Sequence, residues 1–96
     1  MIVRFSSAAR RDRLEAERYY AKASQAVRED FRRSLESAIQ VALRFPQAGS
    51  ENGPRTRRMR VHGFPYDVIY SVERDHIYIV AVAHHSRRPG YWRERL

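Results

Sequence analysis

The chain has 96 residues, with 19 Lys+Arg against 11 Asp+Glu for a net charge of +8, and no cysteine. That length makes a single domain over residues 1–96, because two halves of about 50 residues would each be marginal without disulfides or metals. A disulfide framework, an iron–sulfur cluster, a thiolate zinc site and a cysteine nucleophile are excluded together.

The chain opens on MIVRFSS, where Ile2 to Phe5 reads as a short strand that ends at a helix cap supplied by Ser6 or Ser7. The start is charged within four residues and carries no long apolar run, so neither a signal peptide nor a membrane span is expected, and a cytoplasmic location follows. Ala9, Ala16, Tyr20 and Ala23 recur at helical spacing and predict an amphipathic helix over Ala8 to Ala23. Ser24 caps a second helix whose stripe of Val27, Phe31, Leu35, Ala38, Ile39 and Ala42 is the cleanest in the sequence, and Pro46 stops it. The turn-forming stretch PQAGSENGP, Pro46 to Pro54, separates this helical half from a strand half.

From Thr56 the period changes to two. Arg57, Met59 and Val61 alternate with Thr56, Arg58, Arg60 and His62, as in a strand with one buried and one basic face. Gly63 makes a turn into YDVIYSVE, Tyr66 to Glu73, and Arg74-Asp75 closes a hairpin into HIYIVAVA, His76 to Ala83. Pro89-Gly90 breaks the chain again, leaving YWRERL for one or two terminal helical turns that Trp92 pins in place. The order β-α-α-β-β-β with a short C-terminal helix predicts an α+β domain. Its helical hairpin covers one face of a small, mainly antiparallel sheet, and the other face is left basic. Tyr66, Tyr70 and Tyr78 are expected to pack on the sheet with solvated hydroxyls.

Eighteen of the 19 bases are arginine, which suits bidentate contact with carboxylate or phosphate. Met1 to Phe45 holds ten bases and six acids, and Pro46 to Leu96 nine and five, so each half nets +4 and the excess is not a tail. Two knots stand out, Arg55 to Arg60 and Arg87 to Arg95. Such a field attracts nucleic acid, anionic lipid or an acidic protein.

The stretches RFPQAG, RRMRVHGFPYDVIYSV and IVAVAHHSRRPGYWRERL, in this order of elements, resemble the RelE/ParE superfamily of small bacterial toxins from type II toxin-antitoxin modules. The resemblance implies a growth-inhibiting cytoplasmic toxin. It also implies a cognate antitoxin whose acidic or amphipathic C-terminal segment wraps and neutralises it in a hetero-oligomer. ParE-like members inhibit DNA gyrase, and RelE-like members cleave mRNA on the ribosome without a metal. A basic domain is itself matched to an acidic segment that folds as it binds. A non-toxic nucleic-acid-binding module is the reading from charge alone.

Metal-free RNA cleavage needs a base for the 2'-hydroxyl, an acid for the leaving oxygen, and cations on the phosphate. Arg58, Arg60 and His62 share a strand face at about 7 Å intervals. Arg88, beside Arg87, and Tyr91 match the location of the basic and tyrosine residues of RelE-like nucleases. Of the adjacent His84 and His85, which alternation turns to opposite faces, His84 fits the family pattern; an imidazole can serve as general acid or base. No ligand spacing for a metal accompanies them, and no cofactor motif is present. One residue departs from the nuclease pattern: where those members commonly carry an arginine against the scissile phosphate, this chain has Asp67. A carboxylate there repels phosphate and favours a ParE-like or unassigned member, while a nuclease would draw that charge from Arg58, Arg60 or Arg88 instead.

Overall fold

The computed structural model describes the whole chain, Met1–Leu96, and no helix in it is long and apolar enough to cross a membrane. Strand β1 (Ile2–Phe5) leads into helix α1 (Ser7–Ala21), then α2 (Gln25–Arg44), β2 (Ser50–Glu51), β3 (Arg57–Val61), β4 (Tyr66–Val72), β5 (His76–His84) and a 3₁₀ turn, Tyr91–Arg95. The five strands form one sheet in the order β1-β5-β4-β3-β2, with β1 parallel to β5 and every other pair antiparallel.

The helix caps are local chemistry. Ser6 Oγ accepts from the Ala9 amide at 3.0 Å and Ser24 Oγ from the Val27 amide at 3.1 Å, each satisfying an orphan N–H of the first turn. Ser6 also donates to the Val80 carbonyl at 3.2 Å, so the cap of α1 is tied to β5. Between the helices, Glu17 is almost fully buried and is met by Arg13 at 3.0 Å and Arg28 at 3.5 Å, which neutralises the one acid inside the hairpin.

The core lies between the hairpin and one face of the sheet. Phe31, Leu35 and Ile39 of α2 pack with Val61, Val68, Tyr70, Ile77 and Ile79. At one end it is aromatic: Phe31 meets Tyr66 at 5.3 Å between ring centroids, and Tyr66 meets His84 edge-on at 4.9 Å.

Three features differ from the sequence expectation. The Pro46–Pro54 stretch contains a two-residue strand, β2, held by Tyr70. The Tyr70 hydroxyl, far from solvated, donates to the Pro46 carbonyl at 2.9 Å and accepts from the Gly49 amide at 3.0 Å. A side chain at Gly49 would start 2.9 Å from the Arg58 carbonyl, so only glycine allows this approach.

The second difference is in the sheet face away from the helices, which is not wholly basic. Ile69, Val80, Ala81 and Ala83 form an apolar strip there, covered by Trp92 from the terminal turn. Burying a large aromatic ring removes more apolar surface from water than leaving it on the rim, so the last residues fold back over the strip.

The third is a bulge. Ile69 pairs with Ala81 and Tyr70 with Ile79, which leaves Val80 unpaired as the extra residue of β5. Val80 and Ala81 therefore both lie on the face away from the helices.

Candidate functional site

The bulge decides which histidine reaches the open face. Counting by two from Ile77, which packs under the helices, would send His84 outward and His85 inward. With Val80 as an extra residue the order reverses. His84 pairs with Tyr66 and lays its ring edge on that core tyrosine. Its Nδ1 accepts from the Ser86 amide at 2.9 Å. His85 turns to the other face, where its Nε2 lies 3.1 Å from the Asp67 carboxylate.

Around this pair is a groove of about 530 Å³. It is lined by residues of β3, β4 and the end of β5, by the segment from Arg87 to Trp92, and by Ser50 and Asn52 on the β2 side. Met59 and Val61 pack toward the helices, so Arg58 and Arg60 project from the opposite face into the groove. Arg87, Arg88 and Tyr91 enter from the segment after β5.

Of the residues singled out from sequence, Arg58, Arg60, Arg88 and Tyr91 therefore line one groove. His84 touches its rim while its ring is committed to Tyr66 and its Nδ1 to the Ser86 amide. His62 lies in the exposed turn after β3 and is not part of the lining. His85 emerges as a groove residue only through the bulge; two consecutive small or β-branched apolar residues, Val80-Ala81, are its faint trace in the sequence.

Asp67 is the only acid of the groove. Its side chain is 14% exposed, and Arg58 Nε lies 4.0 Å from one oxygen while His85 takes the other. The carboxylate is thus partly neutralised by its neighbours. Tyr91 has two cations close to its ring, the Arg87 guanidinium 3.9 Å from the ring centroid and that of Arg95 at 5.2 Å. Burial pushes the Tyr91 phenol up, and Asp12 adds to the shift against the lowering effect of Arg95 and Arg87, so it is a protonated donor near neutral pH.

The terminal wall is latched from outside. Arg95 donates to both Asp12 oxygens, at 2.7 and 3.2 Å, and to the Val80 carbonyl at 3.1 Å, while Asp12 also accepts from the Val82 amide at 3.0 Å. These bonds hold the β5 edge beyond Ile79, where β1 has ended. No three His, Asp or Glu side chains come together as a metal-holding cluster.

A family model described as the ParE toxin of the type II toxin-antitoxin system, parDE, matches residues 3–89. The chain belongs to the ParE toxin family. Two solved structures share the toxin's fold. One, from a chromosomal ParDE toxin-antitoxin system of P. aeruginosa, superposes with a TM-score of 0.68 at 16% identity, covering 88% of this chain and 95% of that one. The other, the YoeB dimer from Staphylococcus aureus, gives a TM-score of 0.60 at 16% identity over 88% and 97% of the two chains. No curated protein sequence matches significantly. The β-α-α-β-β-β order expected from sequence is the order of this ParE-family fold, completed by the short β2 and a 3₁₀ rather than α-helical terminal turn.

Proposed function

We propose that this ParE-family toxin arrests growth by acting on DNA gyrase in the cytoplasm, and that a cognate antitoxin with an acidic or amphipathic C-terminal segment neutralises it in a hetero-oligomer. The observation that supports the gyrase target is Asp67. It lines the groove from β4, held by His85 and Arg58, at the strand position where, by the resemblance, ribonuclease-type members commonly carry an arginine for the scissile phosphate. A carboxylate at that point opposes the negative charge that a cleaved phosphate develops.

The antitoxin reading rests on the family and on charge. A +8 surface and an acidic segment attract one another over the distance of a Debye length, which speeds encounter and suppresses wrong partners.

A second reading, ribosome-dependent and metal-independent mRNA cleavage, is favoured by one observation: Arg58, Arg60, Arg88 and Tyr91 converge on a single groove. In it the arginines hold the phosphate and Tyr91 donates a proton. His84, or His85 beside it, accepts the proton of the 2'-hydroxyl.

Expression of the chain alone in bacteria tests the proposal. Growth arrests, plasmid recovered from the arrested cells has lost negative supercoils, and co-expression of the neighbouring reading frame restores both. Harmless expression at verified soluble levels contradicts the toxin reading, and arrest with unchanged plasmid topology contradicts the gyrase reading.

A further inference from the structure

A second cavity, of about 370 Å³, shares no lining residue with the basic groove. Arg55 from the turn between β2 and β3, Glu73 from the β4–β5 hairpin, and the paired Ser71 and Tyr78 line it together with His76 and Arg95. Two of these are already engaged, Arg95 by Asp12 and His76 Nδ1 by Asp75 at 2.7 Å. Three are not. No acid lies within ion-pair distance of Arg55, since Glu51 pairs with Arg57 instead, at 3.8 Å. No base lies within that distance of Glu73, and the Tyr78 hydroxyl makes no hydrogen bond. Glu73 is nonetheless fixed in place: the buried Ser71 hydroxyl donates to its Oε2 at 2.7 Å, which leaves Oε1 free.

The backbone of Arg55 adds an independent observation. At φ 62° it is the one residue other than glycine in the left-handed region, where a Cβ crowds the following carbonyl. Gly53, Gly63 and Gly90 take the chain's other positive φ values without that strain. An arginine kept where glycine fits better points to a use for its side chain, and strain of this kind gathers at ligand sites.

We propose that this cavity binds a free α-amino acid as its zwitterion, the carboxylate on the Arg55 guanidinium and the α-ammonium on Glu73. An uncommitted cation and an uncommitted carboxylate line one concave space without touching each other. Glu73 repels a phosphate or any other plain anion, and Arg55 repels a plain amine, so a ligand that carries both charges is the one that satisfies both walls. Planar guanidinium meets carboxylate with two parallel bonds, and the Glu73 oxygen, aimed by Ser71, accepts from an ammonium. The side chain of the amino acid then lies toward Tyr78, whose ring and free hydroxyl line the remaining space.

Amide NMR spectra of the purified full chain, titrated with glycine, L-phenylalanine, phenethylamine and 3-phenylpropionate, test the inference. Both amino acids are expected to shift the Arg55, Ser71, Glu73 and Tyr78 signals saturably, phenylalanine about threefold more tightly through its ring. Phenethylamine and 3-phenylpropionate keep that ring but carry one charge each, and bind at least about tenfold more weakly than phenylalanine. Glu73→Gln, of constant size, and Arg55→Gly each weaken amino-acid binding at least about tenfold. Arg55→Gly does so without lowering the melting temperature, because glycine adopts the φ of 62° freely, which separates a side chain kept for a ligand from one kept for the fold. Arg11→Gln, at an exposed position of α1, leaves affinity within about threefold, as expected of a charge screened by salt. Absence of saturable shifts with both amino acids overturns the inference, as do equal binding of phenylalanine and either analogue, and shifts centred on Arg58 and Asp67 instead. Each of these results is independent of whether gyrase is inhibited.

Discussion

Asp12 and Arg95 meet in a two-pronged ion pair, at 2.7 and 3.2 Å, that joins the first helix to the last turn across 83 residues of sequence. The same carboxylate accepts the Val82 amide and the same guanidinium donates to the Val80 carbonyl, so the pair does for the bulged β5 edge what a neighbouring strand would do. Removing Asp12 leaves an amide and a guanidinium short of an acceptor at once. Asp12→Ala is therefore expected to cost about 2 kcal/mol, a figure reduced from that of a fully buried pair because the Arg95 side chain is 22% exposed. Thermal unfolding measures it, and Arg95→Lys, which cannot reproduce the two-pronged contact, falls between wild type and Asp12→Ala.

Trp92 closes the apolar strip of Ile69, Val80, Ala81 and Ala83. Trp92→Ala is expected to destabilise the fold by about 3 kcal/mol through the lost burial and the exposed strip. Increased binding of a hydrophobic dye below the unfolding transition would accompany it.

The Tyr70 hydroxyl serves two backbone groups of the β2 connection, Pro46 O and Gly49 N. Tyr70→Phe strands both in a buried setting and is expected to cost about 2 kcal/mol in denaturant unfolding. Gly49→Ala is expected to cost about as much for another reason, since its Cβ would press on the Arg58 carbonyl and force the connection away from β3.

Burial pushes the Tyr66 phenol up to about 12, with the neighbouring Tyr20 and Tyr19 adding to the shift. Because the folded state holds this proton more tightly than the unfolded chain, whose tyrosines ionise near pH 10, its contribution to stability is complete below about pH 10 and is lost as pH rises to about 12. Melting temperature measured across that window should fall for the wild type and fall less steeply for Tyr66→Phe.

The two histidines should separate cleanly. His84→Ala removes an edge contact from Tyr66 and the acceptor of the Ser86 amide, and is expected to cost about 1 kcal/mol. His85→Ala, whose side chain is partly exposed in the groove, is expected to change stability by less than about 0.5 kcal/mol. Paired unfolding curves check both values.

Helix stripes and caps were legible in the sequence because they are local: Ser24 ahead of Val27, Phe31 and Leu35 needs nothing outside its own segment. The meander was legible for the same reason. The bulge was not, since Val80-Ala81 reads as continuous alternation and the extra residue is stabilised by Ser6, Asp12 and Arg95, all distant in the chain. Hence the alternation put His84 and His85 on opposite faces but, counted without the extra residue, sends the wrong one of them to the groove. Asp67 stood out on its own as a misfit among arginines, whereas its partner His85 became visible only with the register of β4 against β5. The apolar strip escaped because three of its members are alanine or valine, too small to mark a second buried face until Trp92 covers them.

The most direct measurement of the central claim is a supercoiling assay with purified gyrase, relaxed plasmid and the purified toxin, run beside a ribosome-programmed mRNA cleavage assay with the same preparation. Gyrase inhibition proposed for this ParE-family chain predicts plasmid left unsupercoiled at toxin excess and mRNA left intact. Normal supercoiling together with cut mRNA would contradict it.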